Sequence, residues 1–177
     1  MNANAQLVAS LIRDVPDFPK PGVVFKDITP LLASAAGYRA AIEELAASAP
    51  PRIDVVVGME ARGFIFAGPV ALALGAGFVP VRKPGKLPGE LFTETFALEY
   101  GTASLAVQTD ALLPGARVLV IDDVLATGGT VGATAKLIQR LGAEVVHVSV
   151  VMELSFLGGR EHLAGLGVTD CSAVLRV

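Results

Sequence analysis

At 177 residues the chain has the length of a single domain, enough to bury a substantial core without disulfide staples. A net charge of −3 argues against a nucleic-acid or acidic-membrane surface. The single cysteine, Cys171, excludes an internal disulfide and fits a reducing compartment. Hydrophobic residues make up 53% and are weighted toward Ala, Val and Leu, the usual filling of an α/β protein whose sheet is buried on both faces.

In chain order, Leu7, Val8, Leu11 and Ile12 recur at helical spacing and predict an opening amphipathic helix. No basic start followed by an apolar run precedes it, so a secretory signal is not expected and a cytoplasmic setting is. Asp14 to Gly22 packs three prolines and a glycine into nine residues, which predicts irregular chain. A helix is expected over Tyr38–Ala49, ended by Pro50 and Pro51, and a buried strand over Ile53–Val57. Gly63 to Val81 then runs nineteen residues without a charge, close to the length that spans a bilayer. Gly75, Gly77, Pro69 and Pro80 favour instead a helix from about Phe64 to about Leu74, a glycine turn, and a strand over Phe78–Val81.

Lys83 to Thr109 is polar, rich in Gly, Pro and Thr, and carries Glu90, Glu94 and Glu99. A connection this long in a compact domain is usually functional, and we read a mobile flap with at most a loose hairpin. A strand over Arg117–Ile121, a helix over Thr130–Leu141 and a strand over Glu144–Met152 follow. The alternation argues for a mainly parallel sheet with right-handed crossovers flanked by helices. With no internal repeat and no linker, residues 1–177 are expected to form one domain.

The segment Val118-Leu-Val-Ile-Asp-Asp-Val-Leu-Ala-Thr-Gly-Gly-Thr130 carries the chemistry. It reads as a buried strand with two acids at its carboxyl end, where open α/β sheets bind ligands. In the turn Ala126, Thr127, Gly128, Gly129 and Thr130, the glycines let successive backbone N–H groups converge on one spot. The threonines add hydroxyl donors, and the following helix presents its positive end, which makes an anion cradle sized for phosphate. A P-loop is absent, because the near match Gly58 to Gly63 continues into Phe64 and Ile65; the dinucleotide fingerprint G-x-G-x-x-G is absent too. Asp122 and Asp123 would repel a triphosphate but suit the neutral hydroxyls of a ribose, so acids and cradle together describe a ribose 5-phosphate site.

This motif resembles the 5-phosphoribosyl diphosphate (PRPP) binding motif of type I phosphoribosyltransferases. The resemblance implies the type I phosphoribosyltransferase fold: a central mainly parallel sheet flanked by helices, an N-terminal hood over about residues 1–35 and a catalytic flap over about residues 83–109. Three further segments are similar to the adenine-specific branch. Phe18-Pro-Lys-Pro-Gly-Val-Val-Phe-Lys-Asp27 resembles its base-binding hood, which implies that Val24, Phe25 and Lys26 bind adenine, with Phe25 stacking on the ring. Many relatives carry Arg at the position of Lys26. Gly58-Met-Glu-Ala-Arg-Gly-Phe64 resembles the diphosphate loop, which implies that Arg62 holds diphosphate and that the Glu60–Ala61 peptide is cis.

Val81-Arg-Lys-Pro-Gly-Lys86 and Leu98-Glu-Tyr-Gly101 resemble the flap. That places Arg82 and Lys83 on PRPP, Lys86 on the leaving group, Glu99 on the imidazole side of the base and Tyr100 over the reacting centre. Val151-Met-Glu-Leu154 also matches the branch, which implies that Leu154 lines the adenine pocket. His147 and His162 lack metal-ligand spacing and read as structural or surface residues. The resemblance implies transfer of phosphoribose from PRPP to adenine, with Mg²⁺ carried on the diphosphate rather than in a protein cage, and a homodimer that contacts neither nucleic acid nor membrane. The rivals are another base specificity and a PRPP-sensing regulator. The second needs a nucleic-acid surface that neither a basic patch nor a spare segment supplies.

Overall fold

The computed structural model describes residues 1–97 and 101–177, in two compact units, Met1–Glu44 and Leu45–Val177. The first opens with helix α1 (Ala3–Ser10), capped by Asn2, whose Oδ1 accepts the Ala5 N–H at 2.9 Å. Strands β1 (Arg13–Pro16) and β2 (Val24–Asp27) then pair antiparallel, Arg13 opposite Asp27 and Pro16 opposite Val24. The irregular stretch expected from Asp14 therefore begins only after Pro16. Proline is tolerated there because it ends a strand of a two-stranded ladder, where a missing N–H costs little. The turn beyond it holds a cis Phe18–Pro19 peptide and Asp17 at φ 57°, whose Oδ1 accepts the Gly22 N–H at 2.8 Å. Short α2 (Thr29–Ala33) and α3 (Ala35–Ala47) follow.

The second unit is built on five parallel strands: β3 (Val55–Met59), β4 (Gly77–Val81), β7 (Arg117–Leu125), β8 (Glu144–Glu153) and β9 (Cys171–Arg176), in spatial order β4-β3-β7-β8-β9. Helix α4 (Arg62–Leu74) joins β3 to β4 and ends at Gly75, which takes the left-handed conformation (φ 66°). This is the helix, turn and strand expected in place of a membrane span, and among the described residues no helix is long and apolar enough to cross a membrane. Helix α5 (Gly129–Arg140) joins β7 to β8, and α6 (Gly159–Gly165) leads to β9. Val57, Val118, Val120, Val148 and Val150 form one continuous core with Leu137 and Ile138 of α5 and Leu163 of α6.

Residues 91–108 depart from the loose hairpin expected. Strands β5 (Leu91–Ala97) and β6 (Thr102–Gln108) pair in continuous antiparallel register from Leu91–Gln108 to Ala97–Thr102. The reason is a period-two pattern beneath the polar composition: Phe92, Glu94 and Phe96 are half-buried while Thr93, Thr95 and Ala97 are exposed, and Leu105 and Val107 are buried on the facing strand. Sequence periodicity also missed α2, α6 and β9. The first two are too short for a helical pattern, and the apolar run of β9 is broken by Ser172.

Candidate active site

Strand order reverses between β3 and β7, since the chain proceeds from β3 outward to β4 on one side and from β7 through β8 to β9 on the other. Such a switch point opens a crevice at the carboxyl ends of the two strands. Two turns flank it, residues 60–61 after β3 and residues 126–128 after β7. Each leads into a helix whose N-cap, Ala61 or Gly128, makes no side-chain capping bond. The start of each helix carries first-turn N–H groups that have no intrahelical acceptor and that favour anions.

Strand β7 continues past Ile121, where it was expected to end, through Asp122 and Asp123 to Leu125, because β8 keeps pairing with it as far as Leu125–Glu153. On the other side β3 pairs only as far as Gly58–Ile121. The acids thus lie just where one neighbouring strand has stopped. Both are buried, and Asp122 Oδ1 accepts the Asp123 N–H at 2.9 Å. A Cβ on Gly63 would come within 2.9 Å of that same Oδ1, so only glycine lets the start of α4 press against Asp122. Burial, and then the neighbouring Asp123 charge, push the Asp122 carboxyl well above the ordinary carboxylate range. Arg62 Nε stands 2.8 Å from Asp123 Oδ2, yet that buried oxygen accepts no hydrogen bond among the described residues. The contact is an ion pair, which holds the Arg62 guanidinium against the buried acid.

The turn after β7 is shaped by close approach. Gly128 has φ 82°, and a Cβ there would meet the Gly159 carbonyl oxygen at 2.8 Å and His162 Cδ2 at 3.2 Å. His162 therefore packs behind the turn, in a structural role. Ala126, Thr127, Gly128, Gly129 and Thr130 line a small recess, with Thr127 exposed. Leu154 begins the next connection; its N–H donates to the Leu125 carbonyl at 2.9 Å.

The turn after β3 is shaped by charge. The Glu60–Ala61 peptide is cis. Glu60, which the sequence did not single out, ties the neighbouring segment down: Arg82 Nε and Nη2 donate to its two oxygens at 3.3 Å each, and the Lys83 N–H donates at 3.1 Å. These donors, the Lys83 N–H foremost, hold its carboxyl below its usual value. Arg82 Nη1 also donates to the Lys86 carbonyl at 3.0 Å, so Arg82, Lys83 and Lys86 gather beside this turn. A signal was available in the adjacency of Glu60 to Arg62, but nothing local tells that a strand ending at Val81 brings Arg82 to it.

The chain matches the model of the phosphoribosyl transferase domain over residues 25–161. It is 64% identical to the adenine phosphoribosyltransferase of Cutibacterium acnes over all 177 residues, covering both chains fully. The chain belongs to the adenine phosphoribosyltransferase family. Its fold agrees with crystal structures of family members: that from Thermoanaerobacter pseudethanolicus superimposes with a TM-score of 0.93 at 47% identity, covering 98% of this chain and 99% of the other. The Saccharomyces cerevisiae enzyme, crystallised with an imino-altritol bisphosphate and adenine, gives 0.92 at 38% identity over 99% and 100%. Membership makes this an enzyme of the pentosyltransferase class and confirms the type I phosphoribosyltransferase fold.

Within the family frame, the first unit places Val24, Phe25 and Lys26 together on β2, which has β1 on one side only. Phe25 packs edge-on against Phe18 at 5.2 Å between ring centres, and Lys26 Nζ is bound to Asp14 at 2.7 and 2.9 Å. The Lys26 charge is thus spent within the hairpin. Glu99 and Tyr100 lie outside the described residues.

Proposed function

We propose that the crevice between β3 and β7 binds PRPP and transfers its phosphoribosyl group to adenine, with AMP and diphosphate as products. The observation that carries this reading is the pair of unlike turns at one switch point, with buried acids between them. Ala126–Thr130 takes the 5-phosphate on backbone N–H groups and hydroxyls. Asp122 and Asp123 take the ribose hydroxyls, with Asp123 Oδ2 accepting from one of them once Arg62 leaves it. The turn around Glu60–Arg62 takes the diphosphate, with Arg62 moving from Asp123 to the leaving group and with Lys83 and Lys86 adding positive charge.

Mg²⁺ on the diphosphate would share that developing charge; among the described residues no cluster of three or more His, Cys, Asp or Glu side chains forms a cage for it. As positive character builds on the ribose ring, the field of the acidic pair favours it, and the cations opposite favour departure of diphosphate. Base recognition is assigned to the β2 segment through its backbone, which the Lys26–Asp14 pair leaves undisturbed. Glu99 is assigned to accept or orient the proton of the base and Tyr100 to cover the reacting centre, both on the family resemblance. The same resemblance supports a cytoplasmic homodimer, and the exposed Leu72 and Phe156 are the kind of surface a second copy covers.

The test is a panel of adenine, hypoxanthine, guanine and orotate with PRPP and Mg²⁺, followed as diphosphate release. Adenine should turn over fastest. Equal turnover with hypoxanthine would overturn the specificity, and tight PRPP binding without turnover of any base would make the chain a regulator.

A further inference from the structure

The β5–β6 hairpin is fastened along α5 by one face of β5. The Arg140 guanidinium lies 4.3 Å from the centre of the Phe92 ring, and its Nη1 donates to the Thr93 carbonyl at 3.1 Å. Lys136 Nζ donates to Glu94 Oε1 at 3.1 Å. At the first residue of α5, a Cβ on Gly129 would come within 3.1 and 3.3 Å of two carbons of the Phe96 ring. The match is geometric: two strand residues rise about 6.7 Å and four helix residues about 6 Å, so a strand running against the helix meets it at every second residue. Positions 92 and 94 meet 140 and 136, and Phe96, further along the same face of β5, reaches Gly129 at the helix start. The partner strand is held as well, since the Arg82 N–H donates to the Ala106 carbonyl at 3.0 Å and the Ala106 N–H returns to the Arg82 carbonyl at 2.7 Å. One hairpin therefore touches the segment that serves the diphosphate turn and, through Phe96, the cradle itself.

We propose that Phe96 is a positioning residue for the 5-phosphate seat: its ring packs against Gly129 and so holds the end of the turn, keeping the cradle N–H groups aimed at one anion. The proposal rests on the assignment of Ala126–Thr130 to the phosphate. A turn with two adjacent glycines has more conformational freedom to lose than any other, so an external brace removes entropy that binding would otherwise have to remove. The ring also keeps water off one wall of the turn, which strengthens the N–H to phosphate attraction. Since the 5-phosphate is not at the reacting carbon, this brace acts on substrate and transition state alike and belongs in KM rather than kcat.

Phe96→Ala and the milder Phe96→Leu separate this role from a merely structural one. In the full-length protein, Phe96→Ala should weaken ribose 5-phosphate binding and raise the PRPP KM roughly tenfold, with kcat, the adenine KM and inorganic diphosphate binding within about twofold of wild type. Phe96→Leu should fall between the two and carries the test if the alanine variant does not fold; Phe96→Tyr should restore wild-type values. A lowered Tm with unchanged ribose 5-phosphate affinity would overturn the proposal, as would equal weakening of diphosphate or a selective loss of kcat. Wild-type protein that binds PRPP but not ribose 5-phosphate would overturn the cradle assignment itself, a failure read from the wild-type titration alone.

Discussion

The two turns that face the crevice do similar work with different materials. The one after β7 is nearly all backbone, a run of small residues shaped by what presses on it: Gly159 and His162 behind, Phe96 at the side. The one after β3 is organised by side-chain charge, with Glu60 holding Arg82 and the Lys83 N–H, and Arg62 resting on Asp123. The difference matches what each is assigned to hold. A phosphate monoester that does not react needs a rigid seat, which fixed N–H dipoles supply. A diphosphate that departs needs cations that can shift as its charge develops, which long side chains on counter-ions supply.

The largest expected effect breaks the backbone turn. Gly128→Val puts a branched side chain at φ 82° and into the Gly159 carbonyl. Activity should fall by about 10³-fold, as when preorganised oxyanion donors are lost, and Tm should drop, both measured against wild type. Activity within tenfold of wild type would show that the turn is not preorganised.

Asp122→Asn sharpens the contrast between binding and stability. With its folded-state pKa raised, ionised Asp122 opposes folding: the stability linked to it is present below its ordinary value of 3.8 and is lost as pH rises toward the raised value. The variant should therefore gain stability at neutral pH, about 1 kcal/mol or ~2–4 °C in Tm for a chain of this size. It should also lose ~10²-fold in kcat/KM, having weakened the field on the ribose. A lowered Tm at neutral pH would contradict the assigned strain.

Glu60→Gln tests the charged turn most gently. The amide still accepts the Lys83 N–H but no longer pairs with Arg82, so the PRPP KM should change by less than about tenfold. Because the Glu60 carboxyl is held low, its stabilising effect is present above its ordinary value of 4.5 and fades as pH falls through the folded value. The Tm difference between wild type and variant should shrink accordingly on acidification. A constant difference across that range would remove Glu60 as the tie.

Much of this was legible in the sequence because local pattern and local chemistry coincide there. Val118–Ile121 is an unbroken apolar run, and Asp122-Asp123 and Ala126–Thr130 are contiguous, so strand, acids and cradle could be placed by adjacency alone. The helix, glycine turn and strand over residues 62–81 were fixed by their own breakers in the same way. What local pattern could not supply was partnership across the sheet. Whether β7 ends at Ile121 or runs to Leu125 depends on β8 alone, and Glu60 meets Arg82 only because β3 and β4 lie side by side. The hairpin was hidden by composition: Phe92 and Phe96 lie in a stretch that is polar overall, and α5 supplies the surface they cover. The sequence by itself determined which groups can bind a ribose phosphate, since chemistry resides in residue types. The tertiary structure decided which of them are buried, braced or held by a counter-ion, since those properties belong to contacts between residues far apart in the chain.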